Sequence, residues 1–280
     1  MPFCLCGGVN IYFEVQGEGV PLLLISGLSG GVASWYGQVA FFSRYYRTVT
    51  FDNRGAGRSD MPPGPYSMRQ LAEDALCVLD RLGIERTLVM GLSMGGMIAQ
   101  ELALMAPERI MALALGCTHH GGDRRVGPSR EVMAVLLGNE GLTQEQIVQK
   151  NLPIFLSRRF LEEQPEQVDL YRRAQLSTEL QPDFAFQAQL AAIVGFDSSD
   201  RLGSLTVPTL IVTGTEDLLV PRENARLLAS AIPFSELVEI PGAGHALHAE
   251  CRDLLNDLVH RFFQKVITDR SRPGSGQSPE

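Results

Sequence analysis

Short apolar runs alternate with helical patterns in this chain, and that alternation constrains its fold more than any other feature. The runs at residues 21–25, 87–90 and 110–115 have no polar face, which is typical of strands covered on both sides. Between them, apolar residues recur at helical spacing over 68–82 and 94–105. This order predicts an α/β fold with a mostly parallel, twisted sheet and helices on both of its faces.

The alternation is interrupted once, in the second half of the chain. Further strands are predicted at 9–15, 46–51, 209–212 and 237–240, and further helices at 224–231 and 249–266. From 119 to 204 only short helical patches occur, separated by Gly and Pro. We therefore predict one core formed by residues 1–118 and 205–268, with a helical cap insertion at 119–204. The Pro-, Gly- and Ser-rich tail at 269–280 is predicted to be disordered.

Charge and cysteine content narrow the expected partners and compartment. The formal net charge of −8 opposes binding to phosphate backbones and anionic lipid, so nucleic acid is not an expected partner. No apolar run reaches the ~18 residues needed to span a bilayer, and the N-terminus has no signal-peptide pattern. The odd count of five cysteines, without framework spacing, predicts reduced thiols and a cytoplasmic location.

Two of these cysteines lie close together near the N-terminus. Cys4 and Cys6 are separated by one residue, so both side chains would face the same side of an N-terminal strand. A metal site needs further ligands, and the sequence places none beside them. We interpret both as ordinary small residues, and expect no bound metal.

The sharpest motif is the pentapeptide GLSMG at residues 91–95. It matches G-x-S-x-G, follows a predicted buried strand and opens a predicted helix. The flanking glycines permit a sharp turn, which would hold the hydroxyl of Ser93 above the sheet edge. The motif predicts that Ser93 is a nucleophile.

A serine nucleophile needs a base and a residue that orients the base. In folds with this motif, an acid and then a histidine follow the serine along the chain. Asp217 and His245 lie in loops directly after the predicted strands at 209–212 and 237–240, so both would reach the same sheet edge. Glu216 is the alternative acid. The other histidines, His119, His120, His248 and His260, are interpreted as surface or rim residues.

These motifs together resemble the α/β-hydrolase fold superfamily, in its serine-triad branch of esterases and enol-lactonases. The stretch DNRGAGRS at residues 52–59 and the stretch ISGL at 25–28 are similar to family motifs beside the active site. The resemblance implies an oxyanion hole formed by the backbone N–H groups of Leu28 and Met94. It also makes Ser29, Trp35, Leu219 and Ala246 candidates for lining the substrate pocket. Ser26 stands where many relatives have histidine.

The leading functional prediction is a serine hydrolase that cleaves a carboxylic ester or lactone of a small to medium substrate through an acyl-enzyme. The same triad could serve a carbon–carbon bond hydrolase, a lyase or a cofactor-free perhydrolase, and a ligand-binding receptor of this fold is a further alternative. No metal or organic cofactor is expected. The sequence leaves the oligomeric state open.

Overall fold

One eight-stranded sheet forms the centre of the molecule, which a computed structural model describes over residues 2–271. The strands are β1 (Phe3–Cys6), β2 (Val9–Gln16), β3 (Pro21–Ile25), β4 (Arg47–Phe51), β5 (Thr87–Leu92), β6 (Ile110–Gly116), β7 (Thr209–Gly214) and β8 (Ser235–Ile240). Their order across the sheet is β1-β2-β4-β3-β5-β6-β7-β8. β2 pairs antiparallel with β1 and β4, and the other pairs are parallel. The predicted α/β class and mostly parallel sheet are confirmed.

Eleven α-helices connect or flank these strands in the described part of the chain. They are α1 (Tyr36–Phe42), α2 (Met68–Arg81), α3 (Met94–Met105), α4 (Arg130–Leu137), α5 (Gln144–Phe155), α6 (Arg158–Glu163), α7 (Pro165–Leu176), α8 (Asp183–Val194), α9 (Glu223–Ala231), α10 (Leu247–Glu250) and α11 (Arg252–Ser271). Within residues 2–271, no helix is both long enough and apolar enough to cross a bilayer.

Alternate residues of the central strands feed two apolar layers, one on each face of the sheet. In β3, Leu23 and Ile25 pack with apolar residues of α2 and α3. Leu22 and Leu24 point the other way and pack with Trp35, α1 and α11. This two-sided burial explains why the strand sequences have no polar face. The site-bearing loops thus stand on a rigid core.

Residues 119–204, where the alternation of strands and helices is interrupted, contain helices α4 to α8. These five helices are called the cap helices below. They lie between β6 and β7, which are neighbours in the sheet. The two ends of this insertion meet, because Gly121 bridges to Asp197 and the N–H of Ser198 donates to the carbonyl of His120 at 2.8 Å. These helices account for the short helical patches predicted between residues 119 and 204.

The C-terminal helix runs past its predicted end. The sequence predicts disorder from residue 269, but α11 continues to Ser271. Arg270 stabilises its last turn, because its guanidinium donates to the carbonyl of Met111 at 3.0 Å. The rest of the predicted tail, residues 272–280, lies outside the described residues.

Two cysteines form a disulfide, so the prediction of five reduced thiols is wrong for this pair. Cys6 on β1 is bonded to Cys77 on α2, 71 residues later. The edge strand β1 packs against α2, which brings the two sulfur atoms together. Because the contact joins distant segments, cysteine spacing alone could not reveal it.

A buried ion pair ties the loop after β4 to α2. The guanidinium of Arg54 donates to both carboxylate oxygens of Asp74, at 2.5 and 2.6 Å. The side chains are only 5% and 3% exposed, so solvent cannot screen either charge.

Replacing Arg54 with methionine should lower the free energy of unfolding by about 3–5 kcal/mol, because Asp74 would stay buried without a partner. Urea denaturation measures the change. Arg69→Met is the matched control, since the pair of Arg69 with Glu73 is 65% and 52% exposed and should contribute less than about 1 kcal/mol. Equal losses in the two variants would contradict the prediction.

Candidate active site

Ser93 occupies a strained turn between β5 and α3. Its backbone has φ 55° and ψ −123°, a conformation that non-glycine residues rarely adopt. The turn is held from both sides, since the N–H of Ser93 donates to Gly116 at 2.8 Å and the hydroxyl of Thr118 donates to the carbonyl of Ser93 at 2.7 Å. The surrounding structure therefore fixes the serine at the end of β5.

The glycines of the motif are required by close backbone approach. A Cβ atom at Gly91 would lie 2.2 Å from the carbonyl oxygen of Gly95. A Cβ atom at Gly95 would lie 2.0 Å from the carbonyl oxygen of Ile25. No larger residue fits at either position unless the backbone moves, so the spacing of the motif follows from the geometry of the turn.

His245 and Asp217 come together at the ends of β7 and β8. Nδ1 of His245 lies 2.8 Å from Oδ2 and 3.0 Å from Oδ1 of Asp217. The backbone N–H groups of Leu219 and Val220 donate to Oδ1 at 2.9 and 2.8 Å. The carboxylate of Asp217 is thereby placed to accept the Nδ1 proton of His245. Nε2 of His245 is left without that proton and can act as a base.

Glu216, the alternative acid, faces solvent rather than His245. Glu216 is exposed, whereas Asp217 is 6% exposed and buried against His245. Ser93 and His245 line the same cavity. All three predicted residues therefore lie at one edge of the sheet, and their chemical roles stay predictions.

The other histidines were predicted to be surface or rim residues, and this is wrong for two of them. His119 and His120 are buried, and both His119 and His248 line the cavity. Burial lowers the pKa of His119 and of His248 to about 4, so both are neutral at neutral pH. The N–H of Gly121 donates to Nδ1 of His119 at 3.0 Å, which places the ring proton on Nε2.

The loop after β3 passes directly beside Ser93. A Cβ atom at Gly27 would lie 3.2 Å from Cβ of Ser93. Leu28 follows in this loop, and Met94 is the first residue of α3, where the N–H has no carbonyl one turn earlier in the helix. These are the two predicted oxyanion donors. The side chain of Met94 is fully buried and does not line the cavity, whereas that of Met97 does.

Three side-chain amides hold this loop, and two of them, Gln181 and Gln189, had no signal in the sequence. The amide of Asn53 donates to the carbonyl of Ser26 at 3.1 Å, so a neighbouring loop supports the backbone at Ser26. From α8, Gln189 accepts from the N–H of Ser29 at 3.0 Å and donates to the carbonyl of Arg54 at 2.8 Å. Gln181 accepts from the hydroxyl of Ser29 at 2.5 Å. The cap helices and their linkers thus help to fix the loop beside Ser93.

A cavity of about 890 Å³ lies between this edge of the sheet and the cap helices. Of the four predicted pocket residues, Ser29, Trp35 and Leu219 line it. Ala246 does not, because the turn after His245 directs it into an apolar cluster with Leu152 and Ala249. Most apolar lining residues come from the cap helices: Met133, Leu136, Leu137, Ile147, Val148, Leu152, Phe155, Phe186, Leu190, Ile193 and Val194.

Cys117 is a further residue that sequence reasoning missed. Its sulfur lies within 4.8 Å of ligand atoms of Asp217 and His245. Burial raises the pKa of Cys117 well above its usual range. The protonated thiol and the hydrogen-bonded Asp217–His245 pair fit an arrangement for proton transfer better than a set of metal ligands.

Comparison with known proteins assigns the family. The sequence model of the alpha/beta hydrolase fold matches residues 20–250. The chain belongs to the alpha/beta hydrolase family. Ser93, Asp217 and His245 all lie within the matched range, which accords with the fold and the sheet-edge site described above.

Curated relatives of this alpha/beta hydrolase include proteins named "Putative carbamate hydrolase RutD". The protein of that name from Azorhizobium caulinodans is 31% identical over 270 residues, which cover 95% of this chain and 99% of the relative. The one from Klebsiella pneumoniae is 32% identical over 253 residues, covering 86% of this chain and 90% of the relative. Hydrolase activity is thereby supported for this member of the family.

Solved structures of similar alpha/beta hydrolases carry other names. A thermophilic esterase from Thermogutta terrifontis superposes with a TM-score of 0.80 at 28% identity, covering 95% of this chain and 97% of the esterase. An enol-lactonase from Burkholderia xenovorans gives a TM-score of 0.82 at 28% identity, covering 94% and 100%. The fold is therefore shared by proteins with different substrates.

Proposed function

We propose that this protein is a serine hydrolase that cleaves a carboxylic ester or lactone through an acyl-enzyme. The observation that best supports the proposal is the pairing of His245 with Asp217, together with the strained Ser93 that lines the same cavity as His245. Asp217 accepts two backbone N–H groups, so its orientation towards His245 is fixed before substrate binds.

In this mechanism, Nε2 of His245 removes the proton of Ser93 as Oγ attacks the substrate carbonyl. The N–H groups of Leu28 and Met94 donate to the resulting oxyanion. His245 then protonates the departing alkoxide, and the acyl group stays on Ser93. A water molecule, deprotonated by His245, attacks the acyl-enzyme and releases the acid. Each proton removed by His245 is returned, so the enzyme is regenerated.

We further propose that residues 119–204 act as a cap that forms the substrate pocket. The cap helices provide most of the apolar lining, while the core provides Ser93, His245 and the loop at 26–30. A cavity of about 890 Å³ is within the usual range for drug-sized ligands. The acyl or alcohol group would then be apolar and of medium size.

A panel of p-nitrophenyl esters, from acetate to decanoate, tests the ester proposal. We expect kcat/KM to rise from acetate to medium chains, because each added methylene that is buried contributes ~0.8 kcal/mol. Release of p-nitrophenolate measures the rate. If the folded protein hydrolyses none of these esters, the ester proposal is wrong.

A carbamate is the second candidate substrate, favoured by the names of the curated relatives. The matched pair p-nitrophenyl isobutyrate and p-nitrophenyl N,N-dimethylcarbamate separates the two, since they differ only in a CH group replaced by nitrogen. We expect faster turnover of the isobutyrate, because nitrogen donates electron density to the carbonyl and slows both attack and deacylation. A higher kcat/KM for the carbamate would favour the second candidate.

A further inference from the structure

Three cysteine sulfur atoms converge between β1 and α2, on the edge of the sheet away from β7 and β8. The sulfurs of Cys4, Cys6 and Cys77 all lie within 4.8 Å of one another. Those of Cys4 and Cys6 are 3.3 Å apart. Cys4 and Cys6 face inward on the same side of β1, and α2 presents Cys77 to them. The structure therefore supplies the additional ligand that the sequence did not reveal.

Cys4 is a free thiol beside the disulfide between Cys6 and Cys77. Cys4 is 4% exposed, and its thiol has a weak contact, 3.8 Å long, with the carbonyl of Ile11. Cys6 is 2% exposed, whereas Cys77 is half-buried and gives access from solvent. When the disulfide is reduced, three thiols share one nearly closed space.

The donor set favours a soft metal ion. It contains three sulfurs, and no histidine or carboxylate belongs to this group among the described residues. Structural zinc takes four ligands in a tetrahedron, so this set is one ligand short. Thiolates prefer Cu(I), which also accepts three ligands in a plane. With metal–sulfur bonds of about 2.3 Å, a trigonal site separates its sulfurs by about 4 Å. Once the disulfide is reduced, the sulfurs of Cys4 and Cys6, which lie 3.3 Å apart, need to move only slightly apart to reach that separation.

We propose that the reduced chain binds one Cu(I) ion through Cys4, Cys6 and Cys77. The site is distinct from the candidate active site, which lies at the carboxyl ends of β5, β7 and β8. Oxidation controls metal binding, because the Cys6–Cys77 disulfide and the metal compete for the same sulfurs. A phosphine and one water molecule reduce the disulfide to two thiols, and the phosphine becomes its oxide. Cu(I) then displaces up to three thiol protons and undergoes no change of oxidation state.

An anaerobic titration tests the site. The phosphine-reduced protein is mixed with Cu(I) held by bicinchoninate, whose colour fades as copper is withdrawn. We expect one copper per chain for the wild type and an affinity at least ~10-fold lower for Cys4→Ser, since even outer contacts of metal sites are worth ~10–100-fold. Cys251→Ser is the matched control, because Cys251 is a free cysteine outside the cluster, and it should bind as the wild type does. The oxidised wild type should take up no copper.

Several results would overturn the proposal. These are no uptake by folded, reduced wild type, equal uptake by the oxidised form, or uptake unchanged in Cys4→Ser. The last result would mean that Cys4 is not a ligand of the copper. Circular dichroism checks each variant. If Cys4→Ser does not fold, Cys77→Ser provides the same test at a half-buried position and should show the same loss.

Discussion

Ser93→Ala is expected to lower kcat for ester hydrolysis by roughly a million-fold, the scale seen when a triad serine is removed. The variant would retain the predicted oxyanion donors and the cavity but would lack the proposed nucleophile. Its fold should be unchanged, because the bonds that hold the turn use the backbone N–H and carbonyl of residue 93 rather than its hydroxyl. Initial rates with the best p-nitrophenyl ester of the panel measure the loss.

Ser34→Ala is the matched control, because Ser34 lines the same cavity but belongs to the turn before α1. It should retain most of the wild-type activity. A fluorophosphonate probe provides a second measurement that does not depend on the right ester, since it should label wild type at residue 93 and leave Ser93→Ala unlabelled. Full esterase activity in Ser93→Ala would refute the assignment of the nucleophile.

The fold could be predicted from the sequence because its signals are local. β3, with Leu22 to Ile25 buried on both faces, is apolar throughout and needs no knowledge of its partners. α3 begins at the predicted residue because the glycines of the motif force the turn before it. The predicted end of α11 was wrong, because the contact of Arg270 with Met111 joins residues that are far apart in the chain.

The sequence predicted those site residues that lie in a recognisable motif. It missed the residues that only tertiary contacts bring to the site. Ser93 and His245 lie in glycine-flanked turns after strands, so sequence reveals them. Gln189 holds the loop beside Ser93 by accepting the N–H of Ser29, which lies 160 positions earlier in the chain. A glutamine in a helix gives no local signal of such a contact. Cys77 was missed for the same reason. The catalytic roles stay predictions until the variants are measured.

Asp217→Asn should lower kcat by ~10⁴, a larger effect than the loss of one hydrogen bond would produce. Oδ1 accepts the N–H groups of Leu219 and Val220, so only the oxygen of an asparagine amide can occupy that position. The amide nitrogen must then replace Oδ2, 2.8 Å from Nδ1 of His245. Because that nitrogen donates, it holds the histidine proton on Nε2, where the base must be free to accept the proton of Ser93.

Glu216→Gln is the matched control, since it makes the same change of carboxylate to amide at the neighbouring, exposed position. Its kcat should stay within about two-fold of wild type, because exposed charges contribute little. If Glu216→Gln loses more activity than Asp217→Asn, the orienting acid is Glu216 and the contact between Asp217 and His245 is structural. Equal and small effects in both variants would mean that His245 does not need a carboxylate to act as the base, which would contradict the proposed triad mechanism.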